Sequence, residues 1–112
     1  MVYNYMENTI TYEKAMEIAN QFAQKIRLEM DSQAEIYLYG SVVNDQIHSK
    51  SDIDIAVVSR TFTNDVCANY ARVNLLAFSI NNNIDAQAII YDDWINKTPF
   101  TTEVQRLGIL VV

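Results

Sequence analysis

The chain has 112 residues, half of them apolar and a fifth charged, which suits one domain with a buried core and is too short for two. Its net charge of −6 argues against sequence-independent nucleic-acid binding, which depends on lysines and arginines; nucleic acid is expected at most as an acceptor. No apolar window is long enough for a membrane span, no signal peptide is recognisable, and the single cysteine excludes an internal disulfide. We therefore expect one cytoplasmic domain over residues 1–112.

The first predicted elements are a helix and two strands. Apolar residues three and four apart predict an amphipathic helix from Thr11 to about Met30. The alternating stretch AEIYLYG predicts a strand that stops at Gly40, where glycine suits a tight turn. After a polar connection, DIDIAVVS predicts a second strand with Asp52 and Asp54 on one face.

The rest of the chain alternates between helices and strands. A second amphipathic helix is predicted after Asn64, which suits an N-cap. Its expected apolar face comprises Val66, Tyr70, Val73, Leu76, Ala77 and Ile80. IDAQAIIY predicts a third strand in which Asp85 faces away from the apolar positions. Asp92 and Asp93 favour a helix start after this strand. A closing helix is predicted from Pro99 to about Leu107, and ILVV suits a short last strand. The predicted fold class is α+β (α/β), a small mixed sheet covered by helices on one face.

Asp52 and Asp54 are the informative pair. Same-face neighbours on a strand lie about 6.6 to 7 Å apart at Cα, so both carboxylates can lean toward one point. At about 4 Å and an effective dielectric of about 20, two like charges cost on the order of 4 kcal/mol, which calls for a cation. Asp85 can supply a third carboxylate from its own strand. Another interpretation stays open on spacing alone: Asp52 is a turn residue, Asp54 pairs with a lysine such as Lys50, and Asp85 caps its strand.

Converging carboxylates suit Mg²⁺ or Mn²⁺, which complete their coordination with water and substrate phosphates. Two such ions can clamp the attacking and leaving oxygens of a phosphoryl or nucleotidyl displacement. At the end of the first strand, Gly40 lets a backbone N–H approach a phosphate, and Ser41 adds a hydroxyl donor. A simple Gly-Ser turn is the alternative interpretation of these two residues.

Gly40-Ser41, ten intervening residues, Asp-Ile-Asp and a later strand acid together resemble the polymerase-beta-like nucleotidyltransferase superfamily. The resemblance is strongest to the minimal nucleotidyltransferases often encoded beside a HEPN-domain partner. It implies that Asp52 and Asp54 bind two metal ions, that Asp85 joins them at the catalytic metal, and that Gly40 and Ser41 hold the phosphates of a nucleoside triphosphate. The implied reaction transfers AMP from ATP to a hydroxyl, with Asp85 as the candidate proton acceptor.

The chain departs from the family pattern after the serine. Val42, Asn44 and Asp45 stand where family members often carry basic residues and a glycine. Losing a cation removes a phosphate contact, for which Lys50 and Arg60 are the candidate substitutes. Both residues also suit an exposed, solvated face, and Lys50 is the one assigned to binding the nucleotide. This departure leaves open the nucleotide preference and the level of activity.

The leading functional hypothesis is a magnesium-dependent nucleotidyltransferase that adenylylates a partner HEPN toxin and so acts as an antitoxin. A second hypothesis is an antitoxin with little or no catalytic activity that neutralises its partner by occlusion. A third is a small-molecule enzyme acting on an aminoglycoside-like hydroxyl, for which such a short chain offers little acceptor pocket. Self-association into a homo-oligomer is also open.

Overall fold

Within residues 10–40, 43 and 52–112, the parts that the computed structural model describes, four strands form one mixed sheet and four helices pack against it. The elements are α1 (Tyr12–Glu29), β1 (Glu35–Tyr39), β2 (Ile53–Ser59), α2 (Val66–Phe78), β3 (Ile84–Ile90), α3 (Tyr91–Asn96), α4 (Pro99–Leu107) and β4 (Ile109–Val111). The predicted α+β class is confirmed. None of the helices in these ranges is long and apolar enough to cross a membrane.

The sheet order is β3-β2-β1-β4, with β1 antiparallel to both neighbours and β2 parallel to β3. Helix α2 makes the crossover between the two parallel strands, as such a connection requires. Because β1 runs against β2 and β3, its C-terminal end lies beside the starts of those two strands. Gly40, Asp54 and Asp85 are therefore brought to the same end of the sheet.

The first face of the sheet carries the main core, covered by α1 and α2. Strand alternation turns Ile53, Ile55 and Val57 toward this face, and all three are fully buried. Phe22 and Ile26 on the predicted apolar stripe of α1 are fully buried against them. Helix α1 begins as expected: the Thr11 hydroxyl accepts a hydrogen bond from the backbone N–H of Lys14. The predicted coverage of this face by helices is confirmed.

Part of the second face is covered as well. Ala56, Val58 and Ile89 form a smaller buried cluster with Val104 of α4. Helix α3 begins at Tyr91 and has Asp92 and Asp93 in its first turn, where acids were predicted to favour a helix start. It places Trp94 over Tyr37 with ring centroids 5.0 Å apart. The closing helix spans the predicted residues, with Thr98 as its N-cap and Pro99 in its first turn.

The inner face of α2 differs from the prediction. Asn69 and Asn74 are buried there, whereas Val66 and Tyr70 are 76% and 47% exposed. Each asparagine bonds both backbone groups of one distant residue. The Asn69 amide bonds the N–H and C=O of Thr63 (3.1 and 2.6 Å), and the Asn74 amide those of Ala86 (3.2 and 2.9 Å). The apolar periodicity missed these residues because buried amides are stable wherever their hydrogen bonds are satisfied.

The N-cap of α2 is also displaced by one residue from the prediction. Asp65, and not Asn64, caps the helix, because its Oδ1 accepts the backbone N–H of Ala68 at 3.0 Å. Both residue types are good caps, so composition alone could not choose between adjacent positions.

Candidate active site

Two acids meet on adjacent strands at one end of the second face. Asp54 on β2 and Asp85 on β3 are register partners, and Tyr39 on β1 is the register partner of Asp54 on its other side. Because neighbouring strands lie about 4.8 Å apart, the three side chains form a row across the sheet. Asp52 is exposed and directly precedes β2. The structure therefore brings Asp54 and Asp85 together, with Asp52 at the rim.

The negative charge of this row is not neutralised by the described residues. Burial, followed by the charges of Asp85 and Asp52, raises the pKa of the Asp54 carboxyl to about 6. The salt bridges among described residues, Lys14–Glu17 and Lys25–Glu29, both lie on α1. Asp85 accepts a hydrogen bond from the side-chain amide of Gln87 at 3.3 Å. A half-buried carboxylate beside other acids is a site that a cation would stabilise.

Gly40 is required next to Asp54 for two separate reasons. Its φ of 81° lies in the left-handed region, which side chains with a Cβ rarely adopt. A Cβ at this position would also overlap Oδ2 of Asp54. The absent side chain thus leaves the space that the carboxylate occupies. Of the other residues predicted for nucleotide binding, Ser41 and Lys50 lie outside the described residues, as do Val42, Asn44 and Asp45.

Helix α4 contributes residues to this region that the sequence did not reveal. Phe100 contacts Tyr39 edge-on, with ring centroids 5.6 Å apart. Burial raises the pKa of the Tyr39 phenol, and the charges of Asp54, Asp85 and Glu103 raise it further, so the phenol stays protonated and remains a hydrogen-bond donor. The alternating residues of β1 could have indicated Tyr39, because they place it on the face of the sheet opposite the buried Leu38. No sequence pattern pointed to Glu103, because its proximity depends on how α4 docks.

The acids fit a hard divalent cation in chemical type. Asp54 and Asp85 supply only oxygen atoms, and the space over Gly40 is kept clear for the Asp54 carboxylate. In the described ranges, no group of three or more acidic, histidine or cysteine side chains is already arranged to hold a metal ion. Asp54 and Asp85 are the two acids that the sheet register places side by side, and the three-acid metal set with Asp52 stays a prediction.

The chain matches the family model described as "Nucleotidyltransferase domain" over residues 16–106, a range that includes Gly40 and all three acids. It therefore belongs to the nucleotidyltransferase domain family, and its fold is that of the polymerase-beta-like nucleotidyltransferases. A solved crystal structure of a "putative nucleotidyltransferase" from Sulfolobus solfataricus is similar over 98% of this chain and 87% of that chain, with a TM-score of 0.67 and 16% identity. No curated protein is significantly similar in sequence.

The raised pKa of Asp54 predicts that the metal-free protein loses stability as the pH rises. The folded-state value of about 6 exceeds the unfolded value of 3.8, so the stabilising contribution is complete below about pH 4 and is lost through pH 6. Because the carboxyl is half-exposed, solvent screening reduces the effect to about 1 kcal/mol. Asp54→Asn should therefore be about 1 kcal/mol more stable than the wild type at pH 7.5 and equally stable at pH 4.

Urea unfolding in EDTA at both pH values measures this difference. Asp92→Asn, at an exposed acid in the first turn of α3, is the matched control and should show no such pH-dependent gain. A stability difference between Asp54→Asn and wild type that is the same at pH 4 and pH 7.5 would contradict the assignment.

Proposed function

We propose that this nucleotidyltransferase uses Mg²⁺ to transfer AMP from ATP to a hydroxyl group, releasing pyrophosphate. The observation that carries the proposal is the register pair of Asp54 and Asp85 beside the glycine that clears space for Asp54. Membership of the nucleotidyltransferase domain family supports the reaction class. The choice of ATP and magnesium rests on the resemblance to minimal nucleotidyltransferases and on the oxygen-only character of the acids.

In this proposal the acids bind two Mg²⁺ ions, and one of the acids also accepts a proton. Asp54 and Asp85 hold the metal from two strands, and Asp52 joins them from the rim. When bound, Mg²⁺ supplies positive charge against the phosphate oxygens. Asp85, the outer acid of the row, accepts the proton of the attacking hydroxyl. Gly40, directly after β1, and the next residue, Ser41, orient the phosphates, and Lys50 adds a cation to them.

We further propose that the acceptor hydroxyl belongs to a HEPN-family partner protein, which makes the chain an antitoxin. Among the described residues, one sheet and its helices account for every element, and none forms a separate acceptor domain. Phe100 is 38% exposed and the Glu103 side chain is exposed, so α4 presents a surface beside the acids on which a partner can rest. An acceptor on a separate protein is consistent with this open arrangement.

Labelled ATP tests the reaction and separates it from phosphate transfer. With Mg²⁺ and a candidate HEPN protein, label in the α-phosphate of ATP should enter the acceptor, whereas label in the γ-phosphate should leave as pyrophosphate. EDTA should prevent the transfer, and Mn²⁺ should restore it. Transfer of the γ-label would instead indicate a kinase. Labelling of an aminoglycoside, with no labelled protein, would replace the partner hypothesis with the small-molecule one.

A further inference from the structure

The outer face of α2 carries exposed apolar side chains. While Asn69 and Asn74 are buried, Leu75 and Phe78 are 73% and 60% exposed. At 100° per residue, these two and the exposed residues Cys67 and Ala71 fall within an arc of about 80°, opposite Asn69 and Val73. We call these four residues, Cys67, Ala71, Leu75 and Phe78, the α2 stripe. Contiguous exposed apolar side chains are a recognised feature of interaction sites on folded proteins.

The charge distribution indicates what this surface contacts. From Val66 to Asn83 the chain carries no acidic residue, and all fourteen of its acids lie elsewhere. Arg72, the one charged residue of this stretch, donates a hydrogen bond from Nη1 to the Thr61 hydroxyl at 3.3 Å, which holds its guanidinium toward the loop after β2. The α2 stripe is therefore a neutral strip on a chain of net charge −6.

We propose that the α2 stripe binds the α2 stripe of a second copy of this chain, forming a symmetric dimer. Two copies with a charge of −6 repel each other through most of their surfaces, and this strip lets them meet without opposing carboxylates. A basic partner would instead be drawn to the acidic surfaces. A two-fold axis pairs identical patches, and Ala71 near the middle of the stripe allows close approach of the two helices.

The dimer leaves the candidate active site open. Helix α2 packs on the first face of the sheet through Val73 and Ala77, whereas Asp54 and Asp85 project from the second. A pair of thirteen-residue helices gives an interface at the small end of the observed range, so we expect dissociation in the micromolar range. The inference does not depend on the proposed reaction, because no residue of the stripe belongs to the acid row.

Sedimentation equilibrium from about 1 to about 300 µM tests the dimer. The wild type should move from the monomer mass to twice that mass, and Leu75→Glu with Phe78→Glu should stay monomeric with an unchanged far-ultraviolet circular dichroism spectrum. Leu28→Glu is the matched control: Leu28 is 85% exposed on α1, so its substitution adds a charge outside the stripe and should leave dimerisation intact. A wild type that is monomeric throughout, or a double variant that still dimerises, overturns the proposal.

Cys67 gives a second measurement that needs no substitution. It is a free, exposed thiol within the stripe, so a dimer should shield it. The rate at which a thiol-specific reagent modifies the wild type should fall several-fold as the protein concentration rises through the dissociation constant. A rate that is independent of protein concentration would reject the α2 stripe as the contact, even if a dimer forms elsewhere.

Discussion

Asp54→Asn is expected to lower the rate of nucleotidyl transfer by about 10²- to 10³-fold, the usual cost of removing one preorganised electrostatic group from an active site. The substitution keeps the shape of the side chain and removes its charge at the centre of the row formed by Tyr39, Asp54 and Asp85. The measurement is the initial rate of pyrophosphate release at saturating Mg²⁺ and ATP, with the labelled acceptor as a second readout. The loss of activity should accompany the gain in stability expected for this variant at pH 7.5.

Asp92→Asn serves again as the control, since Asp92 is an exposed acid of α3 outside the row. It should retain the wild-type rate within about twofold. An Asp54→Asn enzyme that keeps more than about a tenth of the wild-type rate would show that the charge of Asp54 is not needed for catalysis.

The second large effect is expected for Gly40→Ala. A residue with a Cβ costs about 1 to 2 kcal/mol in the left-handed region, and the φ of Gly40 is 81°. The added carbon must also displace Oδ2 of Asp54, so the rate of transfer should fall by about 10²-fold together with the stability. Urea unfolding and the pyrophosphate assay measure the two effects separately.

Gly40→Asn distinguishes the two causes. Asparagine tolerates the left-handed region better than alanine, so this variant should recover part of the lost stability. Its Cβ meets Asp54 just as that of alanine does, so activity should remain low. Recovery of both stability and activity in Gly40→Asn would mean that backbone strain, and not the contact with Asp54, explains the alanine variant.

The strands and most helices could be predicted because their signals are local. The alternation in β2 sends Ile53, Ile55 and Val57 to one face and Asp54 to the other, and this holds whatever the strand pairs with. The glycine after β1 was expected at a tight turn and has a positive φ. The helix from Pro99 to Leu107 was likewise marked by its proline and the glycine that follows it.

The features that the sequence did not reveal depend on contacts between distant elements. Asn74 is buried because it forms hydrogen bonds with the backbone of Ala86, twelve residues later. A search for apolar periodicity does not detect such a contact. Glu103 and Phe100 approach Tyr39 only through the docking of α4. Spacing alone left Asp85 either as a third carboxylate or as a strand cap, and the resemblance supplied its expected role at the catalytic metal. The part of the site that includes Ser41 and Lys50 stays a prediction.

The register between β1 and β2 has a consequence for the evolution of the enzyme. Five paired positions, from Glu35 with Val58 to Tyr39 with Asp54, fix the acid relative to the glycine independently of the chain that links them. A slip by one residue would push Asp54 into the hydrophobic interior, so the observed register is strongly favoured. Insertions and deletions between Gly40 and Asp52 therefore need not shift Asp54 relative to Gly40, so the length of this segment can vary while the strand pairing keeps the acid beside the glycine.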